Sequence, residues 1–318
     1  MGIGSSLLLL VGGLLSVQAA ANVQLSRAVR SPVGAAALQL AIAAVLLVGA
    51  SVLTGVAGVV PLVPGVPVGH LLGGLGSAVY ITAGILLFPR LGAVVTVGLF
   101  IAGQLLASVV IDSFGLLDVP VSAVGIAELI GVLAVLGGAA LTVRAQERVP
   151  IAAGTRTVGS TSGESETGPR WGWWALALLG GAVLPVQGAL NAQLRADLDA
   201  PLPVAAWSFV LATAVMLVLL AVVAALRPGQ RPQWTALGEV PWWGWLGGLV
   251  GAGYVTSVFL LLPQIGAAAT IALTVAGQQL AGLAVDHFGL LRLPHRPVRA
   301  ARLLGVLVLL AGVLLFQR

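Results

Sequence analysis

Residues 275–291 read VAGQQLAGLAVDHFGLL, and residues 101–117 read IAGQLLASVVIDSFGLL. Ten of the seventeen aligned positions are identical, although the two segments begin 174 residues apart. Similarity at this distance indicates an internal duplication, which decides how the rest of the chain is read. Each copy also carries a glutamine and, eight residues later, an aspartate in an otherwise apolar run. These polar residues have two interpretations, a functional device or the end of a helix.

The composition is that of an integral membrane protein. Of the 318 residues, 59% are hydrophobic and 8% are charged, and the mean hydropathy is +1.09. Soluble domains carry about 25% charged residues. The apolar residues fall in segments of about 20, the length of a helix that crosses a hydrocarbon core. The segments lack the two-residue alternation of a membrane barrel, so we expect an all-α integral membrane protein.

Several classes of site are excluded by the residue inventory. All 15 basic residues are arginine, and they are spread over loops, so the formal charge of +5 does not indicate nucleic-acid binding. The chain has no cysteine, which excludes disulfides, thiolate metal sites and a cysteine nucleophile. The three histidines are scattered and no HExxH motif is present. We expect no metal and no cofactor; the expected partners are the lipid bilayer and an unidentified small molecule, and a homodimer stays open.

Apolar runs predict ten transmembrane helices. They lie near residues 4–25, 33–57, 68–88, 91–111, 121–143, 171–191, 202–226, 242–262, 265–285 and 300–317. A polar stretch rich in Gly, Ser and Thr follows the fifth run and predicts a solvated linker. The predicted domains are therefore a five-helix repeat over 1–147, a linker over 148–170 and a second five-helix repeat over 171–318. The first apolar run could also be a cleaved signal peptide, but its end is repeated later in the chain, so we expect a retained helix.

The duplication extends well beyond the opening segments. QAAANVQLSRAVRSP at 18–32 aligns with QGALNAQLRADLDAP at 187–201, and GGLGSAVYITAGILLFPRLGA at 73–93 aligns with GGLVGAGYVTSVFLLLPQIGA at 247–267. Both halves therefore contain the same five-helix unit. An odd number of helices per unit means that the second copy enters the membrane from the opposite side, so we predict two inverted repeats.

The arginines give an independent prediction of orientation. Thirteen of the fifteen fall in loops after odd-numbered helices, and Arg195 and Arg318 fall on the other side. Cytoplasmic loops carry the excess of basic residues. The linker is thus predicted to be cytoplasmic, with both termini outside the cell membrane.

Inverted repeats are the architecture of many secondary transporters, in which two halves exchange conformations around a site at the midplane. The paired GQ-x-L-x-x-x-x-x-D-x-FG-L-L segments, together with the GG-x-x-x-x-x-Y-x-T and Q-x-x-x-N-x-QL segments, resemble the YdcZ family of the drug/metabolite transporter superfamily. The resemblance covers both halves, as in the fused two-half form of that family. It implies a ten-helix exporter-like fold, and it does not supply a substrate.

The first candidate gating residues are the repeated polar pairs. Gln104 with Asp112 and Gln278 with Asp286 place an aspartate near each membrane face and a glutamine about 12 Å deeper. One pair would then serve as an outer gate and the other as an inner gate. The alternative is that Asp-x-Phe-Gly-Leu-Leu only ends a helix, with glycine as the C-terminal cap.

The candidate binding residues are amides and tyrosines. Gln18 and Asn22 lie on one face of the first helix, and Gln187 and Asn191 repeat this pair on the sixth. Buried amides in a membrane either bond to one another across helices or line a polar cavity. Tyr80 and Tyr254 could add hydroxyl groups to such a cavity, or lie at the interface.

Glu128 is a candidate for proton coupling, because it is the only acid predicted well inside a helix. Its aligned counterpart is Arg302. The alternative is that Glu128 extends its carboxylate to the membrane interface. The predicted function is a secondary-active exporter of a small metabolite or drug-like solute, and not an enzyme. A passive channel or small-ion exporter is the alternative. A membrane-embedded enzyme is less expected, because the sequence contains no acid-rich metal motif and no Ser/His pair.

Overall fold

A computed structural model describes residues 3–56, 64–119, 121, 125–147, 170–227, 231–265 and 267–316, and within these ranges the regular structure is helical. Ten helices of 17 or more residues occur there, and we number them in chain order. They are α1 Ile3–Val29, α2 Pro32–Leu53, α3 Gly74–Leu91, α4 Ala93–Phe114, α5 Ile126–Glu147, α6 Arg170–Leu198, α7 Pro201–Leu226, α8 Leu246–Ile265, α9 Ala267–Phe288 and α10 Ala300–Phe316.

Seven helical segments within the described residues are long and apolar enough to cross a membrane. They are Gly4–Val29, Pro32–Leu53, Val68–Leu91, Ala93–Phe114, Ile126–Ala145, Trp171–Leu198 and Pro201–Leu226. Ala300–Leu315 is a shorter apolar helix. Large apolar side chains are exposed along many of these helices, as expected for a surface that faces lipid.

The main differences between predicted and observed helix boundaries concern five helices. Helices α1 and α6 continue to Val29 and Leu198, so the repeated amides lie inside helices. The third predicted helix is interrupted, because a single helical turn over Val68–Leu71 is followed by a turn at residues 72–73 before α3 begins. Helix α5 begins at Ile126, five residues later than predicted. The α-helical part of α8 begins at Leu246, after a 3₁₀ turn over Trp242–Trp245. Most of the predicted linker lies outside the described residues.

The main helix pairs join the two halves of the chain. Helix α1 packs on α8 and α9, and α6 packs on the corresponding α3 and α4. The remaining large contacts join α2 to α7 and α5 to α10. Each of these two pairs consists of one helix and its aligned counterpart, so the contacts of one half are repeated in the other.

Glycines allow several of these helices to touch at the backbone. A Cβ on Gly12 would lie 2.2 Å from the Thr274 carbonyl oxygen, and a Cβ on Gly181 would lie 2.0 Å from that of Phe100. These two contacts occupy aligned positions in α1/α9 and α6/α4. Close helix approach at small residues is the usual packing mode in membranes.

Contacts along each pair give the relative direction of the helices. In the pair α1 and α9, Gly12 lies against Thr274, and Gln24 bonds to Leu291 just beyond α9. These two helices therefore run in the same direction. In the pair α5 and α10, the order is reversed: Gly138 lies against Gly305, whereas the more N-terminal Gly131 lies against Gly312. The helices α5 and α10 are therefore antiparallel.

Candidate functional site

The repeated amides pack against the glycines of the neighbouring half. Gln18 and Asn22 are buried, with exposures of 8% and 3%. A Cβ on Gly251 would lie 2.8 Å from Gln18 Nε2, and one on Gly247 would lie 2.1 Å from Asn22 Oδ1. The glycines of α8 therefore make room for these amides.

The second amide pair repeats the arrangement on the other side of the bundle. Gln187 Oε1 accepts a hydrogen bond from the Ser77 hydroxyl at 3.0 Å. Asn191 Oδ1 accepts one from the Ser208 hydroxyl at 2.7 Å, and it lies against Gly73 of the interrupted third helix. These amides are satisfied by hydroxyl groups of the neighbouring helices.

A cavity lies beside the first amide pair. It is lined by Leu15, Gln18, Ala19, Asn22, Tyr80, Ile81, Gly84, Phe88, Val97, Phe100 and Gln278. The centre of a water molecule can occupy about 20 Å³ of it, which is room for little more than one water molecule. The structure therefore brings together four of the predicted residues around one small cavity.

The walls of the cavity combine aromatic rings with neutral amides. The rings of Tyr80 and Phe100 are 4.7 Å apart at a tilt of 44°, a common geometry for aromatic pairs. Asn22 Oδ1 is buried and has no hydrogen-bond partner. Gln278 is 8% exposed and comes from α9. The cavity thus offers apolar faces and neutral amide groups, without a charged side chain among its lining residues.

The remaining predicted binding residues are not among those that line this cavity. Gln104 is half-buried on α4, and Tyr254 is half-buried on α8. Thr82 and Thr256, which flank the tyrosines, donate to the carbonyl groups of Ala78 and Ala252 in their own helices. The roles of Gln104 and Tyr254 stay predictions.

Asp286 lies in a buried ion pair. Its carboxylate contacts the Arg302 guanidinium, and the two side chains are 1% and 3% exposed. The same carboxylate accepts hydrogen bonds from the backbone N–H groups of Ala93 and Val94, at 3.0 and 3.2 Å. Backbone N–H groups in the first turn of a helix have no partner within the helix, and negative charge is stabilising there. Asp286 therefore holds together the ends of α4, α9 and α10.

Arg296 extends this network at the same end of the bundle. Its side chain donates to the carbonyl groups of Pro89 and Arg90 at 2.8 and 3.0 Å, and its backbone N–H donates to the Asp286 carbonyl group at 2.6 Å. Burial lowers the pKa of the Arg296 guanidinium, the Asp286 carboxylate opposes this shift, and Arg302 adds to it. The loop between α9 and α10 is thereby bound to the turn between α3 and α4.

Asp112 has different surroundings, although it is the aligned counterpart of Asp286. It is half-buried on α4. Position 302 aligns with Glu128, so the arginine that pairs with Asp286 has no equivalent near Asp112. Glu128 lies in the first turn of α5 and accepts a hydrogen bond from the Gly125 N–H at 2.8 Å, as a helix-capping acid does. The hypotheses of gating by Asp112 and proton coupling by Glu128 stay predictions.

Two residues with matching contacts were missing from the predicted set. Gln24 Nε2 donates to the Leu291 carbonyl group at 2.9 Å, and Gln193 Nε2 donates to the Leu117 carbonyl group at 2.5 Å. Leu117 and Leu291 are the last residues of the repeated segments 101–117 and 275–291. The repeated Q-x-x-x-N-x-Q spacing contained this signal, because Gln24 and Gln193 are themselves aligned.

Within the described residues, no group of three or more His, Cys, Asp or Glu side chains could hold a metal ion. A hydrogen bond joins His70 Nδ1 and Asp197 Oδ2 at 2.6 Å, with side-chain exposures of 21% and 31%. It links the turn before α3 to the end of α6.

The family model described as "Putative inner membrane exporter, YdcZ" matches residues 3–141 and 172–315. The chain belongs to the YdcZ family. This membership agrees with the apolar helices and makes the chain a multi-pass membrane protein of an exporter family. The two matched regions coincide with the two halves of the internal duplication.

The other comparisons add information only on the fold. No curated protein matches the chain. A solved structure described as "Crystal structure of protein" has a TM-score of 0.50 and 17% sequence identity, covering 96% of this chain and 97% of that chain. This similarity extends over nearly the whole chain and supports a common fold, without bearing on the solute.

Proposed function

We propose that the protein is a secondary-active transporter that exports a small, uncharged, polar solute by alternating access of two inverted five-helix halves. The observation that carries the proposal is the small cavity formed by Gln18, Asn22, Tyr80 and Gln278. It combines aromatic rings and two amides from the first half of the chain with Gln278 from the second half.

The helix pairs support the inverted arrangement. Helices α1 and α9 are both odd-numbered and run in the same direction, whereas α5 and α10 differ in parity and are antiparallel. Both relations are expected if all ten helices cross the membrane in alternation. In this proposal the repeats occupy 1–147 and 171–318, the linker at 148–170 is cytoplasmic, and the arginine distribution places both termini outside.

The chemistry of the lining residues supports an uncharged solute. A buried charge needs an opposite charge or several hydrogen bonds, since its transfer out of water otherwise costs several kcal/mol. The lining residues provide amide groups and a tyrosine hydroxyl group but no ionised side chain. A neutral solute with hydrogen-bonding groups would bind the amides and the tyrosine hydroxyl group and lie against the rings of Tyr80 and Phe100.

An untargeted comparison of metabolites exported by cells with and without the protein would identify the solute. We expect neutral compounds to accumulate outside the expressing cells. Proteoliposomes loaded with the identified compound should then show counterflow that saturates. Linear flux without exchange would contradict alternating access and favour a channel.

Variants of the lining residues make the test specific to the cavity. Asn22→Ala should reduce transport per molecule in the membrane, whereas Thr256→Ala, which removes a hydroxyl group that donates to the Ala252 carbonyl group of its own helix, should have little effect. Equal loss of transport and membrane abundance in Asn22→Ala would show that the amide is structural.

A further inference from the structure

Two hydrogen bonds at aligned positions join the halves at opposite ends of the bundle. Gln24 on α1 donates to the carbonyl group of Leu291, and Gln193 on α6 donates to that of Leu117. Each glutamine lies six residues after the glutamine of an amide pair, and each acceptor is the last leucine of a D-x-F-G-L-L segment. Because the halves are related by the duplication, these are two copies of one contact.

The acceptor carbonyl groups belong to turns in an unfavourable conformation. Gly115 and Gly289 end their helices with φ of 59° and 60°, as glycine caps do. The residues after them also have left-handed φ although they are not glycine: Leu117 at 58°, Asp118 at 54°, Leu291 at 56° and Arg292 at 57°. Side chains disfavour this region, so the turns need contacts from outside to hold their shape.

A further contact joins helix and turn at each of the two ends of the bundle. At the first end, Arg27 Nη1 donates to the Arg292 carbonyl group at 2.9 Å. At the other end, Gln193 Nε2 is also 3.4 Å from the Asp118 carboxylate. The turn is therefore bound to the neighbouring helix by at least two contacts in each case.

Three of the four helices that these hydrogen bonds connect, α1, α4 and α9, carry residues that line the cavity. Helix α1 carries Gln18 and Asn22, and the turn that Gln24 contacts follows α9, which carries Gln278. Separation of Gln24 from Leu291 would therefore move apart two walls of the cavity. Both hydrogen bonds are present in the structure, and the cavity is small.

We propose that the hydrogen bonds Gln24–Leu291 and Gln193–Leu117 are the two gates of alternating access, and that each breaks when the cavity opens to its own side. The proposal rests on the transport function proposed above. It assigns Gln24 and Gln193 as positioning residues and gives the D-x-F-G-L-L turn a function through its backbone carbonyl group. By the predicted orientation, Gln24 closes the cytoplasmic side and Gln193 closes the outer side.

The test uses the full chain, which is free of cysteine. Ala19→Cys places a single thiol in the wall of the cavity. Its labelling by a membrane-impermeant maleimide is measured from outside in intact cells and from the cytoplasmic side in inverted membrane vesicles. No solute is required, so the labelling result does not depend on whether counterflow is observed.

Replacement of either glutamine by leucine removes the donor at similar size. In Gln193→Leu we expect labelling from outside to rise about two- to tenfold and labelling from the cytoplasmic side to fall. This factor is the change in the population of the outward-open state that the loss of an ordinary hydrogen bond would cause. In Gln24→Leu the two changes should be reversed.

Gln39→Leu is the matched control. Gln39 Nε2 also donates to a backbone carbonyl group, that of Gly244 at 3.0 Å, and the side chain is buried. Its loss should leave the ratio of the two labelling rates unchanged. Opposite shifts for Gln24→Leu and Gln193→Leu would support the gates; shifts on the same side, no shift, or the same shift in Gln39→Leu would overturn them.

Discussion

Replacement of Asp286 by asparagine is expected to lower the free energy of unfolding by about 3 to 5 kcal/mol, the usual cost of leaving one member of a buried ion pair without its partner. The Arg302 guanidinium would stay buried at 3% exposure without a counter-charge. An asparagine oxygen would also bind the Ala93 and Val94 N–H groups less strongly than a carboxylate does.

Two further variants distinguish the effect of the buried ion pair on stability from the effect of replacing an aspartate at this position of the repeat. Asp286→Asn combined with Arg302→Met should recover most of the loss, because an apolar side chain removes the unpaired charge. Asp112→Asn, at the aligned position, should cost less than about 1 kcal/mol, since Asp112 is half-buried and position 302 aligns with Glu128 rather than a basic residue.

Denaturation of the purified protein in detergent micelles can be followed by the fluorescence of its eight tryptophans. The reasoning would be refuted if Asp286→Asn unfolded at the same free energy as the parent chain, or if the double variant lost at least the sum of the two single losses. Transport per folded molecule, measured on the same variants, would also test the gating hypothesis for Asp286. Unchanged transport would assign this residue to stability alone.

Three other variants test the packing, the cavity and the topology. Gly277→Val should prevent folding, because a Cβ there would lie 2.0 Å from the Leu9 carbonyl oxygen; Gly253→Val, where no atom lies within 4 Å, should preserve membrane abundance. Gln278→Ala should reduce transport with unchanged abundance, and a parallel loss of both would contradict a role in binding. A cysteine placed in the linker at 148–170 should react with impermeant maleimide only in inverted vesicles; labelling in intact cells would overturn the proposed orientation.

The sequence predicts the membrane class, the duplication and the approximate helices, because these depend on hydrophobicity and on similarity between distant segments. It does not predict the interruption before α3, where Gly73 packs against Asn191 and Gly74 against the Ser208 backbone, because these contacts come from other helices. The left-handed residues that follow each predicted glycine cap are also missed. Leucine, aspartate and arginine rarely adopt this conformation, so no residue preference indicates it.

The candidate site is predicted in its components but not in its arrangement. The amides, Tyr80 and Gln278 are found from their repeated spacing, and four of them meet at one cavity. The two aspartates look equivalent in the sequence, yet their environments differ because residue 302 is arginine and its counterpart at 128 is glutamate. The contact of Asp286 with Arg302 joins two helices, and the spacing of residues within one helix cannot reveal it.

The glycine contacts between α1 and α9 give these helices a fixed fulcrum. Gly12 lies against the backbone at Thr274, and Gln24, twelve residues further along α1, is about 18 Å from that point. Gly181 and Gln193 have the same spacing on α6. A tilt of about 10° at either crossing would move the glutamine by about 3 Å, which is enough to break its hydrogen bond. Gly12 and Gly181 have no side chain of their own to repack at the crossing, so each long helix can act as a lever that turns a small rotation into the release of its far end.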